Sequence, residues 1–130
     1  MGNYTFGRSV ALAFDACVAR VTQELANEGF GVLTQIDVAA TLQKKLGVAL
    51  LPYVILGACN PLLASRAIAV EPQIGALLPC NVVVRIDDDG KTRVEMMDPV
   101  AVLTMVDRFE VNLIAKDVRQ RLDRVLAAMP

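Results

Sequence analysis

A chain of 130 residues with 13 Lys+Arg against 14 Asp+Glu has a formal net charge of -1, and that balance argues against nucleic acid, which calls for a basic stripe. Histidine and tryptophan are absent and aromatics make up only 5%, which removes base-stacking platforms, Ser-His-Asp and Cys-His catalysis, and zinc or haem held by His. The length suits one domain spanning 1–130, and a 55% hydrophobic share with mean hydropathy +0.47 points to a homo-oligomer interface or a covered sheet face, because large apolar patches are rare on monomers; a homodimer is expected.

Taken in order, Tyr4 to Val10 alternates apolar with small or polar residues and predicts a first strand. Phe14, Val18, Val21 and Leu25 recur at helical spacing, with Gly29 placed as a helix C′ glycine. Phe30, Val32 and Ile36 give a second strand, and Asp37 caps a short helix that runs to Leu46 and ends on Lys44, Lys45 and Gly47. Leu50 to Ala58 is almost continuously apolar and predicts a central strand covered on both faces, with Pro52 near its start. Asn60-Pro61 reads as N-cap and first position of a short helix, Leu62 to Val70. Gln73 to Pro79 is a loop.

Val82 to Ile86 and Thr92 to Met96 alternate on either side of Asp87-Asp88-Asp89-Gly90, a strong hairpin signal. That acidic turn lacks the twelve-residue spacing and closing Glu of a calcium loop. Asp98-Pro99 ends the last strand. Val111, Ile114, Val118, Leu122 and Val125 form the stripe of a C-terminal helix whose outer face pairs Asp117 with Arg121 and Arg119 with Asp123. With Lys116 and Arg124 this is a solvated face rather than a phosphate site. The fold class is α+β: an antiparallel or mixed sheet of about five strands, two long helices on one face, and short helical inserts.

Two segments concentrate the chemistry, Gly57-Ala58-Cys59-Asn60-Pro61 and Leu78-Pro79-Cys80-Asn81-Val82. If the strands ending at Cys59 and starting at Cys80 pair antiparallel, both thiols and both amides meet at one sheet end, near Glu71. A structural reading makes the cysteines small hydrophobes, Asn60 a cap and Asn81 a local hydrogen-bonding residue. A second reading makes Cys59, beside a helix N-terminus, a thiol of lowered pKa with Cys80 as resolving partner. A third places a small polar or anionic ligand against the Asn amides and helix N–H groups, with no catalysis. Two thiols and Glu71 fall short of a closed zinc site, and the glycines show no nucleotide-binding spacing, so no cofactor is expected. Cys17 is read as core.

The first eight residues, Met1 to Arg8, lack an apolar secretory segment, and Val48 to Cys59 falls short of the ~20 residues that span a bilayer. Three cysteines without CxxC spacing fit a reducing compartment, so a cytoplasmic location is expected and no membrane partner.

GACNP at Gly57–Pro61, EPQIG at Glu71–Gly75 and LPCNVVV at Leu78–Val84, with GFGVLTQIDV at Gly29–Val38, together resemble the signature of the domain of unknown function 302 family over essentially the whole chain. The resemblance implies a TATA-binding-protein-like β-α-β(4)-α arrangement, often dimeric, and implies no activity. The leading expectation is a non-catalytic binding or interaction domain with its site at Cys59, Asn60, Cys80 and Asn81, with Glu71 nearby. The alternative is a thiol-dependent redox protein.

Overall fold

Five strands and five α-helices, with two short 3-10 segments, follow one another in the computed structural model, which describes residues 3–130. The strands are β1 (Thr5–Val10), β2 (Gly31–Asp37), β3 (Tyr53–Cys59), β4 (Cys80–Ile86) and β5 (Thr92–Met97). The helices are α1 (Phe14–Asn27), α2 (Val38–Leu46), α3 (Pro61–Val70), α4 (Pro99–Leu103) and α5 (Phe109–Ala128). The strands form a single sheet in the order β1-β5-β4-β3-β2, and every pairing is antiparallel. The expected α+β class holds. Met1 and Gly2, part of the stretch read as lacking a secretory segment, lie outside the described residues. No helix among those residues is long and apolar enough to cross a membrane.

The period-2 pattern of the strands sends one set of side chains to a helix-covered face. Val54, Leu56 and Ala58 of β3, Val82 and Val84 of β4, and Val94 and Met96 of β5 are buried there. They share one apolar cluster with Cys17, Val21 and Leu25 of α1 and with Val118, Leu122 and Val125 of α5. Both helices thus bury a stripe with i, i+4 and i+3/i+4 spacing against the sheet. The opposite face is more open. Val83, Arg85, Arg93 and Glu95 are only half-buried there, and Arg85 holds Glu95 at 2.6 Å. The guanidinium lowers the Glu95 carboxyl pKa, chiefly through that hydrogen bond.

Local signals explain most boundaries. Asp37 Oδ1 accepts from the Ala40 N–H at 2.8 Å, starting α2, and Gly47 (φ 66) ends it. Asp87 Oδ1 accepts from the N–H groups of Asp89 and Lys91, which shapes the β4–β5 hairpin. Four expectations need correction. β3 begins at Tyr53 rather than Leu50: Pro52 has no N–H for a ladder, and Leu50 and Leu51 stay exposed. Its second face is not fully covered, since Tyr53, Ile55 and Cys59 are only half-buried. The stretch read as a loop from Gln73 contains a 3-10 segment, Pro72–Leu77, and Asp98-Pro99 does more than end a strand: Asp98 Oδ1 caps α4 through the Val100 N–H at 3.0 Å.

A second, smaller apolar cluster lies beside the first. Ala67 of α3, Ile74, Leu103 of α4, and Val111 and Ala115 of α5 compose it. The candidate site sits where these two clusters meet.

Candidate functional site

β3 and β4 pair with Ala58 opposite Cys80 and Gly57 opposite Asn81, so the end of one strand and the start of the next do lie side by side. Between them the chain runs through α3 and the 3-10 segment. The two are linked by Glu71, whose N–H donates to the Ala67 carbonyl. A cavity of about 30 Å³ opens at this sheet end, bordered by Cys59, Asn60 and Cys80. Its walls come from both apolar clusters: Phe30, Leu63 and Val118 on one side, Ala67 and Leu103 on the other. It marks the seam where the clusters fail to interlock. A water needs about 10–15 Å³ measured this way, so the recess accommodates a group of two or so heavy atoms.

Asn60 is the polar centre of the site. It is 8% exposed. Its Oδ1 accepts the Leu63 N–H at 3.2 Å and its carbonyl accepts the Ala64 N–H at 2.8 Å, while Pro61 needs no donor partner. The expected cap is therefore present. Gly29 (φ 87) stands close by: a Cβ built there would come within 3.0 Å of Asn60 Nδ2. The glycine that ends α1 is thus also required by the site, a role that its left-handed conformation concealed in the sequence.

The thiols differ in setting. Cys80 is buried, and desolvation, with Cys59 adding to it, pushes its pKa up to about 11. At neutral pH it is a protonated thiol. Cys59 is half-buried. Cys59 and Cys80 are both free, as is the buried Cys17.

The other two sequence candidates stand apart. Asn81 is exposed and follows Cys80 by one residue, so the strand alternation sends it to the open face, where it borders a shallow depression with Tyr4, Tyr53 and Glu95. That alternation was readable from Cys80, Val82 and Val84. Glu71 binds Arg108 at 3.1 Å on the surface and does not border the cavity; its partner is 37 residues away, beyond any local signal. The wall residues Phe30, Leu103 and Val118 were also missed, because nothing in an apolar stripe distinguishes a residue beside a void from one in solid packing. Among the described residues no group of three or more His, Cys, Asp or Glu is placed to hold a metal ion.

Comparison with known proteins agrees with the motifs. No curated protein matches the chain. A solved structure does, described as the crystal structure of an uncharacterized conserved protein DUF302 from Bacillus stearothermophilus. The match has 32% identity and a TM-score of 0.91, covering 99% of this chain and 100% of that one. The family described as domain of unknown function DUF302 matches residues 6–129. The chain therefore belongs to the DUF302 family.

Proposed function

We propose that this protein is a non-catalytic binding domain whose site is the seam cavity bordered by Cys59, Asn60 and Cys80. One observation carries the reading: apolar walls and the mostly buried, polar Asn60 meet in a single recess. Small-molecule sites have this make-up, a mostly apolar lining with a few polar groups that fix orientation. The volume of about 30 Å³ limits the bound group to a small molecule or the tip of a larger one, a protein side chain included. Asn81 and Glu71 belong to the periphery in this reading.

The test is a ligand-observed NMR screen of small fragments against the unmutated protein and Ala64→Leu, which fills the recess. At least one compound class binds the first and not the second. If no class binds, or if Ala64→Leu binds equally, the site is not there.

A thiol-dependent redox role is the second reading. It is favoured by the two thiols bordering the same recess, close enough for Cys59 to raise the Cys80 pKa. Treatment with diamide followed by mass spectrometry decides it: a Cys59–Cys80 disulfide formed in the folded state supports the role, and two intact thiols remove it.

We also read the protein as a cytoplasmic homodimer. The free cysteines support the compartment. The end of α2 and the stretch that follows it support the dimer, since Leu46, Val48, Leu50 and Leu51 are all at least 43% exposed there. Sedimentation equilibrium tests it, with Leu46→Lys and Leu51→Lys expected to give monomer.

A further inference from the structure

The two edges of the sheet are guarded very differently. β1 and β2 end the strand order, so each leaves a row of backbone N–H and C=O groups with no neighbouring strand. Such edges pair with other chains unless charge, proline, a bulge or a covering segment blunts them. β1 carries Arg8, whose guanidinium donates to the carbonyls of Leu126 and Met129. Just past β1 the Ala11 N–H donates to the Pro130 carbonyl at 3.1 Å. The C-terminal end of α5 is thereby tied to that edge strand.

β2 has no such cover. Every residue of it except Val32 is exposed, Leu33 by 66% and Ile36 by 48%. Among the described residues no backbone group of Gly31–Ile36 is bonded outside the sheet. The segment contains no proline, lysine or arginine, and its one charged group, Asp37, caps α2. A register irregularity lies between Val32 and Thr34, but past it Thr34 to Asp37 pair regularly with Gly57 to Val54. A regular, nearly uncharged stretch is thus left open to a further strand.

The same features suit a second copy of the chain. An antiparallel pairing about a two-fold axis at Gln35 sets Gln35 opposite itself and Thr34 opposite Ile36 of the second copy. No like charges meet, because β2 carries only Asp37, two residues from the axis, and β-branched residues make favourable cross-strand pairs. Such a contact is isologous and closes on itself. The joined sheet would then end on β1 at both sides, the edge that Arg8 and the end of α5 guard, so growth stops at two chains.

Resting on the homodimer reading above, we propose that β2 is the dimer-forming edge: two copies join antiparallel through their β2 strands into one continuous sheet.

The test begins with sedimentation equilibrium of the unmutated protein, followed by hydrogen–deuterium exchange in dilute and concentrated samples. The amides of Gly31–Asp37 are expected to slow at least about tenfold in the concentrated sample, where dimer dominates, while those of β1 keep their rates. Gln35→Lys and Gln35→Glu each set like charges opposite one another, and each is expected to sediment as monomer. An equimolar mixture of the two variants is expected to recover the dimer, which misfolded variants would not do. A dimer whose β2 amides exchange as fast as in the monomer overturns the proposal. So does a dimer that both variants form as well as the unmutated protein, or a mixture that stays monomeric. In those cases the homodimer reading stands on the surface after α2, and only the edge is wrong. If the unmutated protein is monomeric at every concentration, both readings fall.

Discussion

Cys17 and Cys80 are two buried thiols in two different kinds of apolar surroundings. Burial pushes each up to about 11. Cys17, on α1, is fully enclosed within the cluster beneath the sheet, among side chains such as Val21, Leu25 and Leu122. Cys80 begins β4 and borders the recess between two clusters. A raised pKa reports loss of water, which packing and a closed pocket both cause. What separates Cys80 from Cys17 here is the empty volume beside it and the polar Asn60 that borders the same recess.

The largest effect to examine is one the two thiols share. For both, the folded pKa lies above the ordinary thiol value of 9.0. Their contribution to stability is then complete below pH 9 and lost as pH climbs towards 11. Each contributes roughly 3 kcal/mol at most over that window. Urea midpoints measured from pH 8 to 11 should fall, and Cys17→Ala and Cys80→Ala should each remove a similar share of the fall. An unequal share would mean that the two environments desolvate differently and would break the comparison at its base.

Adding volume should then separate them. Cys17→Leu enlarges a side chain with no space beside it and is expected to cost about 1–3 kcal/mol. Cys80→Leu grows towards the recess and should cost less than half as much, as read by denaturant unfolding. Equal costs would indicate that the seam is as tightly filled as the main core.

Gly29→Ala sharpens the site side of the comparison. It forces a Cβ into a left-handed conformation at φ 87 and to within 3.0 Å of Asn60 Nδ2; about 1–2 kcal/mol of stability should be lost, and ligand binding with it. The smallest effect belongs to the cap. Asn60→Ala leaves the Leu63 N–H without its acceptor and should lower stability by about 1 kcal/mol, whereas Asn60→Asp should leave the thermal midpoint within a few degrees of the original.

The sequence made the frame of this site readable and its interior unreadable. Asn60-Pro61 announced the start of α3 because a cap and a donor-free first position are local requirements. The hairpin from Val82 to Met96 was equally plain, since alternation and an Asp-Gly turn act over a few residues. The antiparallel pairing that sets Cys80 opposite Ala58, beside Cys59, was only a condition in the sequence, which left an antiparallel or a mixed sheet open. α4 was missed because the four apolar residues after Asp98-Pro99, Val100 to Leu103, are too few to show a helical period. The cavity itself was beyond reach: it arises where Ala67 and Leu103, from one cluster, fail to meet Phe30 and Val118, from the other, a mismatch of shapes set by tertiary packing. The same holds for Gly29, whose place as a helix terminator was evident while its nearness to Asn60 was not.

The most direct measurement is the rate at which each cysteine of the native protein reacts with methyl methanethiosulfonate, a small neutral reagent, resolved by mass spectrometry. Because burial pushes the Cys17 and Cys80 thiols both up to about 11, a ratio of their rates well beyond about tenfold reports access. A recess that admits small groups predicts that Cys80 reacts much faster than Cys17, which waits for global unfolding. Equal rates for Cys80 and Cys17 would contradict the account, placing Cys80 in sealed core and leaving the seam without a binding role.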